Sequence, residues 1–333
     1  VRILIRPRLP VLALLLLAPA IPELLTGSTP VSNLLFDPVG FAVGFSLDIA
    51  LYGTGALLIR EYVVHSGKGW ASVLLLGAAY GIAEEGFEVH TFFQTSGSPV
   101  NALGSYGHLF GVNWLWSLGL IIFHATYSIA LPILLTQLWL PAVKNVRWLD
   151  RGSVVLLASV FVLEVSVFGY LVGHGPSLAA LGFFVALASL LVYLATRMPP
   201  QLLSVRAGPR RIGRWGLALA GTLSFDAWVL VLVFSGSSWF PAVAAAVVVV
   251  LLNLVALLVI LRRVGTVGLD RSKFYFAVGM MGVLFAWDVV VEFTVPGILA
   301  VSALFAYLLY RLSRALDRRE APVVPAGVTG PVQ

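Results

Sequence analysis

The residues best equipped for chemistry stand together in one apolar stretch, Trp70 to Phe93, which reads WASVLLLGAAYGIAEEGFEVHTFF. Within seven positions it holds Glu84, Glu85, Glu88 and His90. A carboxylate near the centre of a bilayer costs ~3 kcal/mol or more, so such groups are rare and point to function before packing. Glu84 and Glu88 are four residues apart and Glu85 and Glu88 three apart, so Glu88 can share a helix face with either. Gly77 and Gly81 precede Glu85 at intervals of four. Small residues at that spacing let a second helix come close. The acidic face therefore overlaps a packing face and points into a bundle. A carboxylate in a partly dry site can serve as a general base. A histidine opposite it can donate a hydrogen bond to developing negative charge. His124, in the next apolar stretch, is the candidate. Such a pair suits hydrolysis of an amide or ester entering from the membrane.

These groups must be positioned by membrane helices. The chain has 333 residues, 59% hydrophobic and 11% charged, with a mean hydropathy of +0.98. A soluble domain carries ~25% charged residues. The composition predicts an all-α, polytopic transmembrane helix bundle. About ten runs approach the ~20 residues a bilayer requires. They cover roughly 9–26, 39–60, 70–93, 114–140, 153–173, 177–196, 215–235, 242–261, 274–295 and 297–312. All 21 Lys and Arg fall in the terminal and alternate connecting segments, and none in 27–38, 94–113, 174–176, 236–241 or 296. By the positive-inside rule both termini are cytoplasmic. Basic residues scattered in short clusters between apolar runs do not suit a nucleic-acid partner. The absence of cysteine excludes disulfides, thiolate metal sites and a cysteine nucleophile.

Residues 1–320 read as a single transmembrane domain, with a disordered Pro/Gly-rich tail over 321–333. The four spans of 9–140 carry the Glu/His site, and 153–312 reads as three helical hairpins, each with an acid in its first helix. Arg2, Arg6 and Arg8 before an apolar run, with Ala18-Pro19-Ala20, also have the look of a signal peptide. A retained helix is preferred because Ile21 to Leu25 prolongs the run.

Counted from the proposed outer boundary, Asp48, Glu84, Glu85, His124, Glu164, Asp226 and Asp288 all lie 7–10 residues deep. At ~1.5 Å per residue that is about 10–15 Å. No Lys or Arg shares that depth. The expectation is one polar cavity lined by Asp48, Glu84, Glu85, His124 and at least one of Asp226 and Asp288, with Tyr127 and Ser128 beside it. Taken singly, Glu164 and Asp226 read more simply as interhelical hydrogen-bonding groups. His90 and His108 read as solvated groups near a boundary, and Asn253 as a packing contact. The helical zinc motif H-E-x-x-H is absent, although Glu84, Glu88 and His124 could form a three-ligand site. No metal or other cofactor is expected.

The run Ala83-Glu84-Glu85, followed by Phe123-His124-Ala125-Thr126-Tyr127-Ser128, resembles the CAAX-processing and bacteriocin-processing (CPBP) family of intramembrane proteases. That family has a paired-glutamate motif EExxxR, then FxxxH, then HxxxN. Glu84-Glu85 matches the pair, and His124 with Ser128 matches the last motif with Ser for Asn. Val89 stands where the arginine would be, and Gly104 stands four residues before His108 in place of Phe. The resemblance implies an all-helical enzyme in which a glutamate activates water and a histidine holds the oxyanion.

The reading is thus a multi-pass plasma-membrane protein acting as a metal-independent, glutamate-dependent hydrolase on a membrane-embedded peptide. Its catalytic residues are Glu84, Glu85, Glu88 and His124, with Glu84 as the base. The alternatives are a proton- or cation-coupled transporter and a non-catalytic membrane scaffold. The lipid bilayer is the expected partner, and the sequence leaves the oligomeric state open.

Overall fold

A computed structural model of the chain describes residues 8–95, 103, 105–173, 175–203, 212–223, 240–262 and 269–320. Asp226 and the tail lie outside the described residues. Apart from a two-residue antiparallel ladder, His108–Leu109 with Val112–Asn113, the regular structure is helical. Among the described residues, seven helices are long and apolar enough to cross a membrane.

Helix α1 runs over Arg8–Pro19 and continues as a π-helical turn over Ala20–Leu24. Helix α2 covers Pro38–His65, with a π-helical turn at Ile49–Gly53. Helix α3 covers Trp70–Ile82 and widens to π geometry over Ala83–Glu88. Helix α4 covers Trp114–Trp139, with π geometry over His124–Ala130. Then follow α5 (Arg151–Val172), α6 (Leu178–Arg197), α7 (Ala242–Arg262), α8 (Leu269–Val291) and α9 (Ile298–Glu320); residues 214–223 are also helical.

The starts of these helices are written locally. Asp37 accepts from the Gly40 N–H at 2.9 Å ahead of Pro38, which has no N–H of its own to satisfy. Asp150 accepts from the Ser153 N–H at 2.7 Å, and Asn113 from the Trp116 N–H at 3.1 Å. Helix α2 runs five residues past the expected end at 60 and stops at Gly67, whose φ of 61° suits glycine. There the Lys68 N–H returns to the Val63 carbonyl at 2.8 Å, a Schellman closure. Helix α3 ends sooner than the apolar run to Phe93 suggests. His90 adopts a left-handed φ of 58° and turns the chain into a 3-10 turn, Thr91–Phe93. The turn carries Thr91 back onto Glu85.

Helix α3 is the centre of the bundle and contacts α2, α4, α5 and α6. Its glycine row is the tight seam. A Cβ at Gly77 would stand 2.8 Å from the Ala125 Cα, and one at Gly81 would stand 2.9 Å from the His124 Cβ. The small residues thus bring α4 against α3 at the level of His124. Helix α1 is a full member of the bundle, with Leu14, Ala18, Ile21 and Leu25 wholly buried. Helices α5 and α6 were expected to form a hairpin of their own. Both instead pack on α3, α5 chiefly on its π segment and α6 on the straight part. Helices α8 and α9 do pair with each other.

Candidate functional site: a buried carboxylate–histidine cluster

Among the described residues, four helices widen to π geometry, and all four wide segments supply the same polar cluster. A π segment inserts an extra residue into a helical turn and is frequently found at functional sites. Glu23 lies in the first, Tyr52 in the second, Glu84, Glu85 and Glu88 in the third, and His124 and Ser128 in the fourth. Two have a visible local cause. Pro22 lies inside the first, and Pro132, just after the fourth, has no N–H to give the Ser128 carbonyl.

The centre is His124, 2% exposed, between two adjacent glutamates. Its Nε2 is 3.0 Å from Glu85 Oε1, and its Nδ1 is 3.0 Å from Ser128 Oγ. Nδ1 also lies 3.1 Å from Glu84 Oε2. That last approach is within ion-pair distance but off the hydrogen-bonding direction, and Glu84 Oε2 has no hydrogen-bond partner. The two glutamates therefore differ. Glu85 is anchored on both oxygens, by His124 and by the Thr91 hydroxyl, which itself accepts from Trp116 Nε1 at 3.1 Å. Glu84 is anchored on Oε1 by the Tyr52 hydroxyl and keeps Oε2 available. The order Glu85–His124–Ser128 places a carboxylate, an imidazole and a hydroxyl in line. Ser128 bonds the ring at Nδ1 and so orients it.

A second chain joins this centre at Glu84. Tyr52 Oη also bonds Glu23 Oε1 at 2.5 Å, and Thr29 Oγ1 lies 3.1 Å from both Glu23 Oε2 and Asp48 Oδ2. Asp48 thus reaches the cluster through Thr29, Glu23 and Tyr52. Glu88 is 4% exposed and its Oε2 has no partner; Glu164 Oε2 is also buried and unpartnered, and the buried Tyr80 hydroxyl faces Glu84. Phe161 and Glu164 are three residues apart on α5, so they share a face, and the Phe161 ring packs at a tilt on Tyr80, 5.8 Å between centroids. Glu164 therefore belongs to the wall around Glu84 and Glu88.

The structure thus brings together Asp48, Glu84, Glu85, Glu88, His124 and Ser128. It places Asp288 elsewhere. That side chain, wholly buried, bonds the Ser302 hydroxyl between α8 and α9. Tyr127 also faces away: its hydroxyl bonds the Met280 carbonyl at 3.3 Å, and its ring stacks on Phe123. Glu23, Thr29, Tyr52 and Thr91 belong to the cluster but were not singled out from sequence. The signal for Tyr52 was its spacing of four from Asp48; that for Glu23 was an acid inside an apolar run. Glu84, Glu85 and His124 also bring donor atoms within 4.8 Å of one another, so a divalent ion is a further way of offsetting the two carboxylates. A cavity of about 410 Å³ lies behind His124, between α3, α4, α7 and α8. Its walls are apolar except for Lys273, Asn253 and Thr126, so it is not the site of the acid–histidine chemistry.

The model of an uncharacterized membrane protein family matches residues 12–317. The chain therefore belongs to that family. No match to the CPBP proteases accompanies it, so that resemblance stands on Glu84-Glu85 and His124-Ser128 alone. Neither the curated proteins nor the solved structures contain a match.

Proposed function

We propose that this member of an uncharacterized membrane protein family is a membrane-embedded, glutamate-dependent hydrolase. Its substrate is an amide or ester presented from the lipid phase, a membrane peptide in the first instance. The reading includes ten crossings with both termini in the cytoplasm. The observation that carries it is the asymmetry of the glutamate pair around His124. One oxygen of Glu84 has no partner and stands 3.1 Å from an imidazole held in place by Glu85 and Ser128.

Glu84 is the general base. Its Oε2 takes a proton from water as the water oxygen bonds to the carbonyl carbon. The C–N or C–O bond then breaks, and the same proton passes from Glu84 to the leaving atom. His124 stabilises the oxyanion formed between these steps through an Nδ1–H that turns to it from Ser128 Oγ, while Nε2 stays on Glu85. Glu85, Ser128, Thr91 and Tyr52 are positioning residues. Glu88 adds negative charge beside the base.

The test is hydrolysis of membrane-derived peptides by purified protein in detergent with a chelator present. Glu84→Gln and His124→Ala should each lose ~10²–10⁴-fold in rate with folding retained. Full activity in both variants, or its abolition by the chelator, would refute the mechanism. Proton- or cation-coupled transport is the second reading, favoured by the carboxylate chain that runs from Asp48 to Glu84. Solute uptake that depends on Asp48 and Glu23 but survives His124→Ala would select it.

A further inference from the structure

The apolar cavity behind His124 takes no part in the acid–histidine chemistry, yet at about 410 Å³ it is large. Cavities that hold a small ligand run ~300–1,000 Å³. This one extends along the helix axes. Its wall runs from Leu134 to Ile121 on α4 and from Ile260 to Val250 on α7, which at ~1.5 Å per residue is ~15–20 Å. The hydrocarbon of one leaflet is half of a core ~30 Å thick. One end of the cavity lies at the start of α3 and α8 and near the end of α4 and α7, where Lys68, Lys144, Arg262 and Arg271 stand in the chain. The cavity thus runs from the basic boundary of the bundle to about the depth of one leaflet.

Its few polar groups differ in what they offer. The Thr126 hydroxyl donates to the Ile122 carbonyl at 2.7 Å, and the Asn253 amide donates to the Val249 carbonyl at 2.9 Å, each within its own helix. Lys273, at the boundary end, is half-buried, and among the described residues no carboxylate comes within ion-pair distance of it. Asp270, one turn earlier, and Lys144, beyond the end of α4, are the charged groups that act on it. Arg271 is paired with Asp317. Lys273, Lys144 and Asp270 together leave one positive charge unmatched. Trp70 shares that end of the cavity, and an indole suits the headgroup level of a membrane. Deeper in, the walls are too apolar for ordered water, which needs ~2–4 polar partners.

We propose that this cavity binds an anionic phospholipid of the surrounding bilayer, with the phosphate at Lys273 and one acyl chain lying between α4 and α7 toward Met280. An apolar slot of one leaflet's depth with an unmatched cation at its boundary end fits both parts of such a lipid. Basic pockets between membrane helices hold anionic headgroups by the same attraction. A free phosphate would use Lys273 and leave the rest of the cavity without an occupant. Ala125, Thr126 and Ala130 line the cavity and belong to the π segment that begins at His124. The chain therefore packs against the back of the segment that carries the histidine.

The test is native mass spectrometry of the purified full chain, stripped of lipid in detergent and titrated with dioleoyl phosphatidylglycerol, dioleoyl phosphatidylcholine or glycerol phosphate. The wild type should retain a single phosphatidylglycerol in preference to phosphatidylcholine, and should not retain glycerol phosphate. Lys273→Met keeps the stem and removes the charge. It should weaken phosphatidylglycerol binding ~5-fold and bring it level with phosphatidylcholine. Lys273→Arg should restore the preference. Ala78→Phe puts a ring into the cavity and should abolish retention of either lipid. Equal retention of the two lipids by the wild type, or a preference unchanged in Lys273→Met, would overturn the proposal. So would a folded Ala78→Phe that still retains lipid, or glycerol phosphate bound as well as the lipid, the mark of a free-phosphate site. If Ala78→Phe does not fold, the Lys273 variants decide. No step depends on hydrolysis, so this result and that of the peptide assay stand apart.

Discussion

Two buried polar clusters in this bundle have opposite construction. The first is the acid–histidine cluster on α3 and α4. The second lies at the far end of α2, where Arg60 is 1% exposed. Arg60 Nη1 donates to Glu61 Oε2 at 3.0 Å, and Nη2 reaches the Val143, Lys144 and Val146 carbonyls at 3.1, 3.0 and 2.7 Å. Its guanidinium lies 3.5 Å from the centre of the Trp148 ring. Glu61 accepts in addition from the Trp148 N–H at 3.1 Å and from Arg147 Nε at 3.3 Å. A planar guanidinium over an indole, with its charge matched by one carboxylate, is a structural clamp. It fastens the 140–150 connection to α2. Each buried charge there has an opposite partner, Glu61 answering both Arg60 and the exposed Arg147, and the helix is regular. The acid–histidine cluster has six carboxyl groups, those of Glu23, Asp48, Glu84, Glu85, Glu88 and Glu164, and among the described residues no Lys or Arg, with π-widened helices and oxygens left without partners. Paired charge on regular helix supports a fold, whereas unmatched acid on distorted helix costs stability, the cost that the proposed catalytic role would explain.

The largest expected effect comes from breaking the balanced cluster. Arg60→Met leaves Glu61 buried without its main partner, and such a loss costs ~3–5 kcal/mol. Thermal unfolding in detergent should register it as a collapse of stability. Glu61→Gln, which keeps the shape but weakens the pairing, should lose ~1–3 kcal/mol. If both variants melt like the wild type, the clamp is not structural and the contrast fails.

A substitution at the seam links the two regions. Gly81→Val places a branched side chain where a Cβ alone meets the His124 Cβ at 2.9 Å. Overpacking of this kind costs ~1–3 kcal/mol. It also pushes His124 away from Glu84 and Glu85. Activity in that variant should fall further than its melting temperature accounts for, as assayed on the folded fraction.

Much of this architecture was legible in the chain. Nine of the ten apolar runs overlap the helices α1 to α9, because burial in lipid demands long uninterrupted apolar helix, and the run 215–235 lies mostly outside the described residues. The Gly77-Gly81 row announced the tight seam, and the pairing of Glu84-Glu85 with His124 followed from depth along adjacent runs. Three things were not legible. Widening to π geometry depends on how neighbouring helices press on one another. The exit of α3 at His90 depends on Thr91 finding Glu85. The role of Glu23 depends on Tyr52, twenty-nine positions away, standing between it and Glu84. Arg60 looked like one more basic residue at a membrane boundary, and only the fold buries it under Trp148. Asp288 shared the expected depth but lies in a separate helix pair. Depth gives a level in the bilayer and not a position within it.

The smallest expected effect lies outside both clusters. The Ser153 backbone N–H and hydroxyl at the start of α5 hold the exposed Asp150 carboxyl below its ordinary range. A depressed value means stability present above the unfolded-state value and lost as the pH falls through the folded one. Asp150→Ala should lower the melting temperature slightly at neutral pH and leave it level with the wild type in strong acid. Equal melting temperatures at both pH values would show that the cap contributes nothing.

The most direct test of the contrast is the thermal stability of Glu84→Gln and Glu85→Gln, compared with Arg60→Met in the same detergent at neutral pH. An acid cluster kept for chemistry predicts that both glutamine variants melt within ~1 kcal/mol of the wild type, or above it, while the clamp variant falls by several. Losses at Glu84 and Glu85 as large as that at Arg60 would contradict it and make the cluster a second structural clamp.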